Sequence, residues 1–402
     1  MSKRILFVDD EPMLLNGLER GLRGMRKEWE MEFVLGGPEA LEAMARAPFD
    51  VVISDMRMPG MDGAQLLDLV KQRFSQTVRI VLSGQSDKDD VFRAIRPTHQ
   101  YLAKPCDIKE LKHKVTCALA LRDVLDSPEL RQKVSQVETV PSLPSLYQAL
   151  RTRLESPHPS LQDIADIVIR DPGMTAKLLQ LVNSAFLGEA SRLSCPKRAI
   201  SIIGIDNLRS LVLSVGLFSE LPQTLAGMLA PLWKHAYFTA RFAKAIARCE
   251  QASETTVQDC FTAGLLHEIG WMVLASAYGD QFKALCSSLD NGIPSVDSEE
   301  AAFGGTHGKV GAYLLGLWGL PDSVIEAVAW HHAPSVVHPS GFCPLLAVHA
   351  ADECHRRLHL SSTEDGQIDQ ALLAQLGLQD RLPVWQKRCQ EIDELRNEEH
   401  HG

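Results

Sequence analysis

Three things are scarce in this chain, and each scarcity removes a class of function. No run approaches the roughly 18 apolar residues of a membrane span, because charged or turn residues interrupt every hydrophobic stretch. Nine cysteines, an odd number, lie between Cys106 and Cys389 without one CxxC pair, which argues against a disulfide framework and against a cysteine-rich zinc site. Positive charge is also short. Lys and Arg total 41 against 51 Asp and Glu, a net charge of −10, which disfavours a protein built to neutralise nucleic-acid phosphates. The deficit is local: residues 1–122 hold 19 basic and 18 acidic side chains, residues 123–402 hold 22 and 33. The opening MSKRILFVDDEP sets acids directly behind its apolar segment, unlike a secretory signal, and the expected compartment is the cytoplasm.

What is present divides in two. At 402 residues the chain predicts two or three domains. Residues 1–105 alternate short apolar runs (Ile5–Val8, Val51–Ile53, Ile80–Leu82, with weaker Phe33–Leu35 and Tyr101–Ala103) with amphipathic segments near Pro12–Arg26, Glu39–Ala47, Gln65–Phe74 and Asp89–Ile95. That alternation predicts a doubly wound (βα)5 α/β domain with its chemistry at the carboxyl ends of the strands. From Asp107 a helical pattern runs through Ile108, Leu111, Val115, Ala118 and Leu125 to Ser127-Pro128, fitting a last helix on the sheet or, beyond Leu121, a homodimer seam. Residues 129–360 read as an all-α bundle of short helices punctuated by Pro and Gly, among them Pro231 and Gly270. The tail from Ser361 is polar, and its last ten residues are expected to fray.

The N-terminal part gathers acids at predicted strand ends: Asp9, Asp10 and Glu11 after the first, Asp55 after the third. Carboxylates crowded at one edge repel unless a hard cation sits among them, and Mg2+ prefers such an oxygen cage. Lys104 after the fifth strand would add a fixed positive charge, and Ser83 at the end of the fourth could hydrogen-bond a phosphoryl oxygen. ILFVDDEP, VVISDMRMPGMDG, IVLSG and YLAKP then resemble the four signature stretches of response-regulator receiver domains, in order. The resemblance implies Asp55 as phosphoacceptor, Asp10 as a direct Mg2+ ligand with Asp9 acting through water, the Arg57 backbone carbonyl as a further ligand, Ser83 and Tyr101 as a switch pair, and Lys104 as the phosphate-binding lysine. It also implies a sensor histidine kinase as partner.

In the helical part the histidines carry the information. His235, His267, His307, His331 and His332, with Glu268 and Asp352, are the residue types of a transition-metal site, and a helical bundle can bring distant positions together inside it. A histidine satisfied by a backbone carbonyl, with no metal at all, is the competing reading. VPSLPSL, IVIRDPGMTAKLLQLVNSAFLG, AISIIGIDNLRSLVLS, WKHA, GLLHEIG, GTHGKVGAYLLGLWGLP and AVAWHH resemble the HDOD branch of the HD superfamily of metal-dependent phosphohydrolases. HDOD members are thought to act as regulatory or interaction modules. Two departures bear on catalysis: the His-Asp doublet is His267-Glu268 here, and no GYP follows the paired histidines. Asp171-Pro172 reads as a helix N-cap with Pro at the first helical position, Asn183-Ser184 as a helix end, and Trp233, Trp271, Trp318 and Trp330 as core.

The expected organisation is a receiver over residues 1–122, a linker helix over 123–140, an HDOD bundle over 141–345 and a helical extension with polar tail over 346–402. The expected function is phosphoryl acceptance at Asp55 controlling a noncatalytic output that acts on an unidentified protein. The rival reading is a receiver-regulated phosphohydrolase acting, for example, on cyclic dinucleotides. Direct DNA binding is a third reading, opposed by the acidic balance of residues 123–402.

Overall fold

The computed structural model describes residues 2–83, 98–105, 107–121, 124–183, 193–220, 223–287, 294–359 and 368–399. The chain divides into two compact units, one of Met1–Glu138, Gln180–Arg192 and Tyr313–Gly319, the other of Thr139–Leu179, Leu193–Ala312 and Leu320–Gly402.

The first unit is built on a five-stranded parallel sheet: β1 (Lys3–Val8), β2 (Trp29–Val34), β3 (Val51–Asp55), β4 (Val78–Ser83) and β5 (Gln100–Ala103), in the order β2-β1-β3-β4-β5. Ile5–Phe7, Val51–Ile53 and Ile80–Val81 are fully buried, which is why their sequence reads as unbroken apolar runs. The weak second strand was expected at Phe33–Leu35, but β2 begins at Trp29 and leaves Leu35 outside, 52% exposed. As an edge strand it carries Glu30 and Glu32 between apolar residues, so it shows no continuous apolar run. Helices α1 (Pro12–Gly21), α2 (Gly37–Arg46) and α3 (Gly63–Arg73) connect the strands. A 3-10 turn at Arg23–Met25 replaces the last turns expected for the first of these. Asp62 and Gln65 form a reciprocal capping box that starts α3. The helix expected near Asp89–Ile95 lies outside the described residues.

The helical pattern from Asp107 does not run on to Ser127. The helix is Ile108–Leu121, and residues 124–127 are not helical, so no continuous seam extends to Leu125. A separate helix, Pro128–Ser135, is capped by the Ser127 hydroxyl.

The second unit is helical, as its punctuation predicts, with two departures. Pro231 sits inside the 27-residue helix Gln223–Cys249 instead of ending one. Gly270 lies in the first turn of Ile269–Ser287. In the tail, the helix Leu382–Glu399 continues to residue 399. Against the expectation that no stretch nears membrane-span length, one within Glu254–Ser287 is long and apolar enough to cross a membrane by length and composition, and 89% of it is buried among the other helices. Trp233, Trp271 and Trp318 are buried, and Trp330 is partly so.

Candidate functional site

Strand order reverses sense between β1 and β3, which parts the loops that follow them and opens a crevice at the carboxyl edge of the sheet. Asp9 follows β1, Asp55 ends β3, and Lys104 follows β5. Lys104 Nζ lies 2.7 Å from Asp9 Oδ2 and 2.6 Å from Asp55 Oδ1, bridging two carboxylates that are only 1% and 9% exposed as residues. Asp10 is exposed, and one oxygen each from Asp9, Asp10 and Asp55 fall within 4.8 Å of one another. Asp9 Oδ1 also accepts the Glu11 N–H at 2.9 Å. Burial raises the Asp55 carboxyl above its ordinary value against the opposing pull of Lys104. Burial alone would lower the Lys104 ammonium, but its hydrogen bonds and ion pairs with Asp55 and Asp9 outweigh that and raise it.

Three acids against one ammonium leave negative charge on an all-oxygen donor set, which suits a hard divalent cation. The loop after β3, which carries Arg57, turns back so closely that a Cβ on Gly63 would sit 2.1 Å from the Asp55 carbonyl oxygen. Ser83 and Tyr101 lie on neighbouring strands, paired with Ala103 and Val81 respectively. Their side chains lie outside the described residues, as does Ser184.

The second constellation is assembled from six helices and their ends. His235 is on Gln223–Cys249, His267 and Glu268 sit where Glu254–Leu266 gives way to Ile269–Ser287, and His307 starts His307–Leu317. His331 and His332 follow Asp322–Trp330, and Asp352 is on Pro344–His359. Glycine permits the approach: a Cβ on Gly270 would lie 1.8 Å from the His307 carbonyl oxygen. The Nε2 atoms converge. His235 and His267 are 3.1 Å apart, His307 and His331 3.3 Å, His332 and His307 3.2 Å. Asp352 Oδ1 lies 3.0 Å from His235 Nε2, and Glu268 Oε2 lies 3.2 Å from His307 Nε2.

The far sides of these rings fix their protonation. His267 Nδ1 faces the Gly264 carbonyl at 2.7 Å and His331 Nδ1 the Val328 carbonyl at 2.9 Å. A carbonyl only accepts, so both Nδ1 atoms carry the proton and both neutral rings turn an Nε2 lone pair inward. His307 Nδ1 is held by the Glu299 carboxylate at 2.8 Å. Burial lowers His267 to about 3 and His331 well below the ordinary histidine value. Burial also works against a charged His307, but Glu299 and Glu268 overcome it and raise that ring to about 9. Glu268 and Asp352 stay ionised despite burial, Glu268 through His307, His267 and His235, Asp352 chiefly through Arg356, whose Nε is 3.0 Å away.

His267 and His331 turn Nε2 lone pairs inward beside two ionised carboxylates, an arrangement that a cation stabilises, and outer-side hydrogen bonds of this kind are how metal-binding imidazoles are oriented. Glu268 Oε2 is buried and faces the His307 ring. A borderline transition ion fits this nitrogen and carboxylate donor set. The structure thus brings together all seven residues singled out in the sequence. It adds four that were missed: Glu299, Arg356, His355, whose Nδ1 is 2.9 Å from His235 Nδ1, and His349, which holds the His331 carbonyl at 2.7 Å. A signal existed for three of them, since positions 349, 352, 355, 356 and 359 recur along one face of a helix.

Asp171 is the N-cap read from the sequence and more besides. It accepts from Met174 N at 2.8 Å, Trp233 Nε1 at 3.0 Å, and Ser142 Oγ and Leu143 N each at 3.1 Å. Burial nonetheless raises it to about 6.

The sequence matches the response regulator receiver domain family over residues 5–116 and the HDOD domain family over residues 140–334. An uncharacterized protein of Treponema pallidum (strain Nichols) is 30% identical over 241 residues, 60% of this chain and 46% of that protein. The response regulator protein PilR of Pseudomonas aeruginosa is 33% identical over 122 residues, 30% of this chain and 27% of PilR. Among solved structures, the MmoQ response regulator of Methylococcus capsulatus str. Bath is 20% identical, with a TM-score of 0.47, covering 62% of this chain and 98% of that one. The signal receiver domain of an HD domain-containing protein from Pseudomonas fluorescens Pf-5 is 33% identical, with a TM-score of 0.27, covering 31% and 94%. The chain spans less than half the length of these two curated relatives. Receiver and HDOD matches in this order, over the two constellations just described, give the chain a response-regulator receiver domain followed by an HDOD domain.

Proposed function

We propose that Asp55 accepts a phosphoryl group from a partner histidine kinase, and that this event controls a helical output unit which acts through protein contacts. The observation that carries the reading is the Lys104 bridge between Asp9 and Asp55 beside the exposed Asp10. Asp9, Asp10, Asp55 and the Arg57 carbonyl would hold Mg2+, whose charge offsets that on the phosphoryl oxygens. Lys104 positions Asp55 and supplies a fixed positive charge from the other side. Ser83 and Tyr101 are assigned the switch role, and phosphorylation then acts as a population shift of the output. We divide the chain at 1–122, 123–140, 141–345 and 346–402 for this purpose, and place the protein in the cytoplasm.

The test is labelling with a small phosphoryl donor and Mg2+. Asp55 should take up close to one phosphoryl group per chain and Asp55→Asn none; label retained by the variant removes the assignment. Sedimentation with and without a phosphoryl mimic tests coupling, and an unchanged mass, shape and partner binding counts against it.

A second reading is favoured by a specific observation, the inward Nε2 lone pairs of His267 and His331 beside the buried carboxylates of Glu268 and Asp352. We infer that His235, His267, Glu268, His307, His331, His332 and Asp352 bind a transition metal. Such an ion would supply Lewis acidity and a water of lowered pKa. Glu299, Gly264 and Val328 orient the imidazoles, and Arg356 holds the Asp352 oxygen. The longer Glu268 and the missing GYP make this a metal-bearing regulatory unit in preference to a phosphohydrolase. Turnover of a cyclic dinucleotide by the metal-loaded chain, lost in His267→Ala, would reverse that preference.

A further inference from the structure

The acidic balance of residues 123–402 conceals a local exception on the helix Gln223–Cys249. Arg241, Lys244 and Arg248 follow one another at three- and four-residue spacing, the spacing that stacks side chains on one helix face. The helix Leu382–Glu399, which packs against this one, contributes Arg388 and Ile392. With Ala245, Cys249 and Phe261 these residues line a cavity of about 450 Å³, and none of them is acidic. Small-molecule sites run from about 300 to 1,000 Å³.

The neighbouring acids neutralise the groove only in part. Glu250 is committed to Arg381 Nε at 2.8 Å and Trp385 Nε1 at 2.7 Å, contacts that also dock the C-terminal helix. Glu391 pairs only with Arg388, at 2.8 Å, and Glu254 offsets part of the charge at Lys244. Arg241 lies 6.0 Å from the Tyr237 ring and 5.7 Å from the Phe238 ring, and Lys244 Nζ lies 5.4 Å from the Phe261 ring. Aromatic faces thus lie against both of these cations. Burial and then the repulsion of Arg248 lower the Lys244 ammonium below the ordinary lysine value. Cations gathered on one wall against their own repulsion are stabilised by an anion, and guanidinium groups favour phosphate through paired N–H contacts. Ala245, Cys249, Phe261 and Ile392 add apolar surface that inorganic phosphate alone would not use.

We propose that this groove binds a phosphate-bearing small molecule with an aromatic or apolar moiety, the chemistry of a nucleoside polyphosphate. The C-terminal helix, which lies beyond the residues matched by the HDOD family, completes the site with Arg388 and Ile392. The test is titration of the full chain with ADP and, separately, with pyrophosphate. ADP should bind near one per chain, more tightly than pyrophosphate and more weakly as salt rises. Lys244→Glu combined with Arg248→Glu should weaken ADP binding about tenfold or more, and Arg248→Ala, at an exposed position, should weaken it less while leaving the fold unchanged by circular dichroism. His267→Ala and Asp55→Asn should leave ADP affinity unaltered, which separates this groove from both sites described above. No saturable ADP binding, binding that survives the charge reversal in folded protein, loss of binding in His267→Ala, or pyrophosphate binding as tight as ADP would each overturn the proposal.

Discussion

The two constellations solve the problem of buried charge in opposite ways. At the sheet edge the fixed cation is part of the chain: Lys104 reaches both Asp9 and Asp55, so the site holds together by itself and keeps surplus negative charge for a ligand. In the helical unit the inward groups are the lone pairs of His267 and His331, the charged His307 ring and two carboxylates, and Arg356 reaches only the Asp352 side at hydrogen-bond distance. The first is an acidic crevice already bridged by an ammonium. The second is a nitrogen and carboxylate donor set turned inward, so its stability depends on what binds there.

That contrast can be broken most sharply by chelation. The helical unit should lose about 4 kcal/mol when an ion present at 1,000 times its Kd is removed, while the receiver transition stays in place. Elemental analysis of wild type and His267→Ala should show the metal in the first and not in the second. Chelator and mutation together should cost no more than either alone.

Next in size is Asp171→Ala, which strands the Ser142 hydroxyl, the Leu143 and Met174 amides and the Trp233 indole in a dry interior. A loss of about 3 kcal/mol is expected from the denaturation midpoint of the helical unit, with no effect on the receiver. Lys104→Ala should reverse the pattern. It leaves Asp9 and Asp55 facing each other without their ammonium and should cost the receiver about 2 kcal/mol. Millimolar Mg2+ should recover part of that loss, as read by the receiver's thermal midpoint.

The smallest effect is a pH slope in metal-free protein. His267 falls to about 3 in the folded state, below the roughly 6.5 of an unfolded histidine, so the unfolded chain takes the proton first. Its contribution is present above about pH 6.5 and is lost as pH falls toward 3, at up to ~1.4 kcal/mol per pH unit. Asp171 has the opposite sign. With a folded value near 6, above the unfolded one, it adds stability as pH falls from 6 toward 4. Denaturation across pH 4–7 for wild type, His267→Ala and Asp171→Asn separates the two slopes; parallel curves for all three would refute both assignments.

How much of this could be read in advance depended on how local the information was. β1, β3 and β4 are buried on both faces and announced themselves as apolar runs, whereas β2 alternates charge with apolar residues and its start was missed. Pro231 misled because a proline ordinarily breaks a helix, and Gln223–Cys249 accommodates it. The histidines were legible by residue type, but Glu299 was not, since only the turn between it and His307 brings its carboxylate to that ring. The basic groove was invisible to charge totals because Arg241 and Arg388 are 147 positions apart in an acidic region.

The sequence by itself determined the division into an α/β part and a helical part, the acids and lysine at the strand ends, and the identity of the site histidines, because strand and helix periods and short motifs are local. Tertiary structure decided which nitrogen of each imidazole faces inward, which carboxylate oxygen faces the His307 ring, and where four cations share one cavity. Those properties depend on hydrogen bonds and distances between residues remote in sequence, and they come into being only when helices pack within a glycine's width of one another.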